Sequence, residues 1–215
     1  MTDTVTLAVL DTWMRDSATR LDAEADRLTA LDSAIGDADH GTNMHRGFTA
    51  IVAKLDAAPP ASLADFFKSV GMTLVSKVGG ASGSLYGTLF LDMARSAPDG
   101  TSMSADDWSR VLSAGVAGVV GRGHAQPGDK TMIDAFTPAL DALSRALAAG
   151  AGLAEAAAAA ATAAERGSAD TEPLVARKGR ASYLGERSVG HVDPGSASTA
   201  ILLRAFADAV AGESA

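Results

Sequence analysis

Cysteine does not occur among the 215 residues, which excludes disulfides, thiolate metal centres and cysteine nucleophiles. Aromatic residues contribute only 5%, and they do not interleave with a basic stripe, so the stacking surface that binds single-stranded nucleic acid is missing. Positive charge is in deficit as well. Eighteen Lys and Arg against 26 Asp and Glu leave −8 at pH 7, which disfavours non-specific attraction to nucleic acid or to an anionic membrane. No apolar run approaches the ~18 residues of a membrane span, and MTDTVTLAVLDTWMRD lacks the basic start and cleavable apolar core of a secretory signal. The expectation is a cytoplasmic protein with no nucleic-acid or membrane partner. No alternating run of β-branched residues is long enough to read as a strand.

Helical periodicity fills the space these absences leave. Leu7, Leu10, Met14, Ala18, Leu21, Ala25 and Leu28 recur in steps of three and four, predicting one long amphipathic helix over residues 5–29. Met44, Phe48, Ile51 and Leu55 carry the period on until Pro59 and Pro60 stop it. Ser62 with Asp65, and Ser104 with Asp107, read as caps opening further helices. Gly79 and Gly80 end the first of these, residues 121–123 (GRG) end the second, and Pro138 should kink the helix that begins near Asp129. Residues 153–166 are nearly all alanine, which predicts a helix, either tightly packed or weakly buried. Ile201, Leu202, Phe206 and Val210 mark the last one. The chain therefore reads as one all-α domain over residues 1–215, about seven to nine helices in an antiparallel bundle with polar, glycine-containing loops at its ends.

Four loops carry the chemistry: LDSAIGDADHGTNM, GGASGS, HAQPGDKTM and RKGRASYLGERSVGHVDPGSAST. Alternate loops of an up-and-down bundle share one end, so several can converge on one site. In the first, Asp32, Asp37 and Asp39 supply three hard oxygen donors, with Gly36 and Gly41 letting the backbone turn between them. Such a set favours Mg²⁺ over zinc, and Mg²⁺ completes its shell with water and phosphate oxygens, which makes a nucleotide polyphosphate its natural guest. Helix capping by Asp37, first-turn enrichment by Asp39 and plain surface charge are the competing explanations. His40 reads first as a local hydrogen-bonding residue.

GGASGS exposes amides at a helix N-terminus, an anion site or simply a helix end. No G-x-x-x-x-G-K-[ST] pattern occurs, so any phosphate cradle is of another kind. Arg177, Lys178 and Arg180 supply cations, with the planar fork of Arg180 suited to phosphate oxygens or to a solvated basic patch. His191, Asp193, Pro194, Gly195, Ser196 and Ser198 form a turn into the last helix.

In this order GDADHGTNM, GGASGSLYGT, GDKTMIDA and ARKGRASYLGERSVGHVDPGSAST closely resemble the nucleotide-binding L-subunit family of dihydroxyacetone kinases, which is also the C-terminal domain of single-chain ATP-dependent dihydroxyacetone kinases. The resemblance spans residues 5–210. It implies an eight-helix antiparallel barrel that binds ADP or ATP at one end through two Mg²⁺ ions held by Asp32, Asp37 and Asp39. By the same resemblance His40, Gly41, Thr42, Asn43, Ala81 and Ser82 would touch the phosphates or ribose. Gly123, Met132, Arg180, Asp193, Pro194 and Gly195 would complete the nucleotide site, with Arg180 the one catalytic side chain and no general base on this chain.

Single-chain members carry a substrate domain on the same polypeptide. The 215 residues hold no second domain, so the expectation is the stand-alone subunit. Its implied partners are a K subunit holding dihydroxyacetone and a phosphohistidine-carrying M subunit of the phosphotransferase system, with ADP retained as a coenzyme. The rival expectations are an ATP-exchanging subunit, a kinase for a related short ketose, and a nucleotide-loaded module that docks on a regulator.

Overall fold

A computed structural model of the chain describes residues 4–213; the ends of the expected 1–215 domain, residues 1–3 and 214–215, lie outside the described residues. The expected all-α class is what the chain adopts, with one small addition. Thr4–Thr6 (β1) pairs antiparallel with Ser102–Ser104 (β2), Val5 opposite Met103. Val5 and Met103 are buried, and the ribbon's last residues cap the helices that follow: Thr6 accepts from the Val9 N–H, Ser104 from that of Asp107. Three residues with one buried side chain each are too few to show a period of two.

Nine α-helices follow among the described residues. They are α1 (Leu7–Ala23), α2 (Ala25–Ile35), α3 (His40–Ala57), α4 (Leu63–Lys77), α5 (Gly80–Ser96), α6 (Ala105–Gly123), α7 (Ile133–Ala148), α8 (Leu153–Ala169) and α9 (Pro194–Glu213). The helix expected over residues 5–29 is thus two helices, broken at Glu24 (φ −100°, ψ 3°) although no glycine or proline marks the place. The break lies beside a close packing contact. A Cβ on Gly41 of α3 would lie 1.9 Å from the Ala25 carbonyl oxygen, so α2 crosses α3 at backbone contact.

The Ser62 and Ser104 caps form as expected, each hydroxyl accepting the N–H of the aspartate three residues on. α7 runs through Pro138 without interruption. Proline has no N–H for the Asp134 carbonyl four residues back, and Gly167 of α8 lies over that carbonyl so closely that a Cβ would sit 2.2 Å from it. The alanine tract behaves similarly: Ala156, Ala157, Ala160, Ala161 and Ala164 are buried in α8, and their small side chains let it approach α7 and α9, which it packs against.

From α3 to α9 each helix packs on the next; α9 packs back on α1, and α1 on α3. The connections sort into two groups. Backbone bonds join the Leu63 N–H to Gly100 O and the Leu7 N–H to Thr101 O, gathering the α3–α4 and α5–α6 loops with the ribbon. The α2–α3, α4–α5, α6–α7 and α8–α9 loops instead meet around a common cavity. The last of these contains an unanticipated 3-10 segment, Arg180–Ser188, interrupted at Gly185 (φ 55°).

The core is tied by aromatic rings from α1, α5, α6 and α9. Trp13 meets Trp108 and Phe206 edge-on at centroid distances of 5.6 and 5.3 Å, and Trp108 stacks on Phe206 at 3.9 Å. Trp13 Nε1 donates to the Leu202 carbonyl at 2.8 Å. Replacing Trp13 with alanine should lower stability by roughly 3–5 kcal/mol through cavity creation, read as a fall in the denaturant midpoint.

Candidate functional site

The acidic loop begins where α2 ends. Gly36 folds back over Asp32 so tightly that a Cβ there would lie 2.0 Å from Asp32 Oδ1, and Ala38 adopts φ 61°, a left-handed conformation uncommon without glycine. Asp32 is buried, and its Oδ2 accepts the N–H groups of Asp39 (2.8 Å) and His40 (3.1 Å). Asp32 therefore performs the capping that the sequence leaves open to Asp37 or Asp39; Asp39 occupies the N-cap position of α3 and makes no side-chain cap bond. Freed of that task, the exposed carboxylates of Asp37 and Asp39 converge with Asp32 until one oxygen of each lies within 4.8 Å of the others. Carboxylates crowded this way favour a cation among them. The all-oxygen donor set, without sulfur or imidazole, fits a hard divalent ion such as Mg²⁺.

Opposite stands Arg180, whose Nε lies 2.9 Å from Asp37 Oδ2. The guanidinium is 70% exposed, so the pair is worth ~1 kcal/mol or less and leaves the arginine available to another anion. Gly179 turns it into place from a left-handed φ of 64°.

His40, the first residue of α3, is buried between three helices. Its Nδ1 lies 3.1 Å from Ser82 Oγ of α5 and its Nε2 2.9 Å from Ser198 Oγ of α9. Burial lowers its pKa, against the opposing charges of Asp32 and Asp39. Tyr86 extends the network to Ser198 (2.7 Å) and Thr199 (2.8 Å), and burial holds its phenol protonated. His40 is thus a local hydrogen-bonding residue that fixes the loop to α5 and α9.

The remaining wall comes from the α6–α7 and α8–α9 loops. Asp134 accepts the Thr131 N–H at 2.7 Å, and Asp129 that of Gln126 at 2.8 Å, which curls the chain before Met132. Asp193 is half-buried as a residue, but its carboxyl is enclosed. That burial pushes it up to about 7; the 2.6 Å bond from the Ser196 N–H opposes the rise, and the charge of Asp134 adds to it.

These elements enclose a cavity of about 620 Å³. Asp32, Asp37, Asp39 and His40 line one side, Ala81 and Ser82 the start of α5, and Gly123 and Met132 the α6–α7 side. Arg180, Asp193, Pro194 and Gly195 close the rest. Three expected contacts are not on its walls. Gly41 is spent on the crossing with α2, Asn43 is buried beside Gly79, and Thr42 is exposed. Arg122, Thr131 and Lys130 line the cavity without having been singled out; the only signal for Lys130 and Thr131 was their place in the HAQPGDKTM loop and the GDKTMIDA motif.

Asp193 imposes a pH dependence with a definite sign. Its folded-state pKa, about 7, lies above the ordinary carboxylate value of 3.8, so its contribution to stability is complete below about pH 4 and is lost as pH rises through 7. In metal- and nucleotide-free buffer, Asp193→Asn should gain stability relative to the unsubstituted chain between pH 4 and 7, with the difference levelling off above that. A difference in denaturant midpoints that stays constant across pH would contradict the enclosed carboxyl.

Among the described residues no helix is long and apolar enough to cross a membrane. The DAK2 domain model matches residues 34–208. The ADP-binding subunit DhaL of PEP-dependent dihydroxyacetone kinase 1 from Listeria innocua is 45% identical over 90% of this chain and 92% of its own length. The corresponding subunit from Escherichia coli is 42% identical over 91% and 93%. The crystal structure of the dihydroxyacetone kinase from C. freundii in complex with AMP-PNP and Mg²⁺ matches 94% of this chain and 33% of that one, with a TM-score of 0.70 at 27% identity. The chain belongs to the DAK2 domain family, with the ADP-binding DhaL subunits of dihydroxyacetone kinases among its relatives.

Proposed function

We propose that the chain is the nucleotide-binding subunit of a dihydroxyacetone kinase, acting in the cytoplasm. It holds ADP or ATP with two Mg²⁺ ions on Asp32, Asp37 and Asp39 and delivers the γ-phosphoryl group to dihydroxyacetone on a partner K subunit. A phosphohistidine-carrying M subunit rephosphorylates the ADP in place. The observation that carries this reading is the convergence of three carboxylates within 4.8 Å at the edge of a cavity that also presents Arg180 and the N-terminus of α5. The names of relatives at 42–45% identity support it. The closed succession of helices, with α1 and α2 taken as one broken element, supports the eight-helix barrel that accompanies it.

Phosphoryl transfer asks for in-line placement and charge neutralisation more than covalent chemistry. The divalent ions, when bound, would neutralise charge on the phosphate oxygens. Arg180 would exchange Asp37 for a phosphate oxygen, its planar fork suiting that acceptor. Free amides at the start of α5, which lines the cavity, would offer donors to a phosphate there. Met132, buried in the wall, offers an apolar face to the base. Both ring nitrogens of His40 lie within hydrogen-bond distance of hydroxyls, which supports a site without a general base on this chain.

Asp37→Ala should lose nucleotide retention and phosphoryl transfer while circular dichroism stays within a few percent of the unsubstituted chain. Full activity would refute the metal assignment. Assays with added K and M subunits, phosphoenolpyruvate in one arm and ATP in the other, distinguish the coenzyme reading from ATP exchange.

A further inference from the structure

Lys130 is a buried cation that the phosphate chemistry does not use. Its side chain is 1% exposed, and its backbone sits at φ 63°, in the left-handed region. An ammonium leaves water only where other acceptors replace its hydration. Four backbone carbonyls do so here: Nζ donates to Thr171 O (2.8 Å), Leu174 O (3.1 Å) and Glu172 O (3.2 Å), and His191 O is the fourth acceptor. Three N–H bonds facing four carbonyls resemble the oxygen shell of a monovalent cation, with the cation tethered to the chain. Burial lowers the pKa of Lys130, while Asp193 and Glu172 oppose that shift and favour the charged form.

The carbonyls belong to two segments, one following α8 and one preceding α9, and lesser bonds knit them further. Thr171 Oγ1 accepts the Asp193 N–H at 2.9 Å, Glu172 O that of Gly190 at 2.8 Å, and Asp129 O that of Arg177 at 3.0 Å. Three stretches of chain therefore meet at one ammonium, Met132 standing on one of them and Asp193, Pro194 and Gly195 on another. The acidic triad, with Asp32 in the last turn of α2 and Asp37 and Asp39 on the α2–α3 loop, contributes no acceptor to this ring.

We infer that Lys130 is a positioning residue, an internal cation that fixes residues 130–132, 171–174 and 191–195 as one rigid wall for the nucleotide. The inference rests on the nucleotide reading of the cavity. Its removal loosens nucleotide binding and leaves the metal-holding loop as it was.

Calorimetric titration of the full chain with ADP in Mg²⁺ tests this with Lys130→Ala, in the absence and presence of methylammonium. The Kd for ADP should rise about tenfold or more and return toward the unsubstituted value when methylammonium refills the carbonyl ring. Mn²⁺ binding without nucleotide, followed by electron paramagnetic resonance, should change by less than about twofold, a shift small against that tenfold effect. Lys130→Arg keeps the charge in a head too large for the ring and should fall between the two. Unchanged ADP affinity in Lys130→Ala overturns the inference, as does a loss that methylammonium does not recover in a folded variant. Failure of both variants to fold with methylammonium present also overturns it, because the lysine would then serve the fold at large. An unsubstituted chain with no ADP affinity removes the nucleotide reading itself, a result the comparison between variants does not produce.

Discussion

Mutual repulsion among carboxylates organises this protein. Bringing oxygens of Asp32, Asp37 and Asp39 within 4.8 Å of one another costs electrostatic free energy that a folded chain accepts only if something recovers it. The fold supplies part of the recovery through the backbone. Two N–H groups at the start of α3 donate to Asp32, where the helix dipole also favours negative charge. Arg180 supplies another part at Asp37. Both are partial measures, since the arginine is exposed and two of the three acids face solvent. A divalent cation held among them, as proposed, would complete the balance.

The bundle serves that loop by placing four inter-helix connections at one end. Close backbone crossings make the geometry rigid: Gly41 against Ala25, and Gly167 against Asp134. Each crossing sits one short step from a cavity residue, His40 in the first case and Met132 in the second. The His40, Ser82, Ser198 and Tyr86 network then ties α3, α5 and α9 together beneath the cavity. The polar groups of this network satisfy one another, so the interior gains definition without stranding a donor.

Much of this was legible in the residues, and what was not has physical reasons. Helix starts at Ser62 and Ser104 were readable because a capping hydroxyl is a local interaction. The acidic triad was readable because its members lie within eight residues of each other. The break at Glu24 was not, since no glycine or proline marks it and it lies beside a tertiary crossing at Gly41. Gly41, Thr42 and Asn43 were grouped with the nucleotide contacts because they share the motif. In the helix that begins at His40 only the first residue lines the cavity: Gly41 is taken up by the crossing with α2, Thr42 is exposed and Asn43 is buried beside Gly79. Lys130 was hidden for the opposite reason. Its four acceptors come from residues 171–191, and no local pattern announces a lysine that will be buried by chain so far away.

Anomalous scattering from crystals grown with Mn²⁺ and ADP tests the central claim most directly. The account predicts manganese density bounded by the carboxylates of Asp32, Asp37 and Asp39, with the diphosphate of ADP against it and Arg180 turned from Asp37 toward a phosphate oxygen. Manganese absent from those carboxylates, with ADP bound in another groove of the bundle, would contradict it.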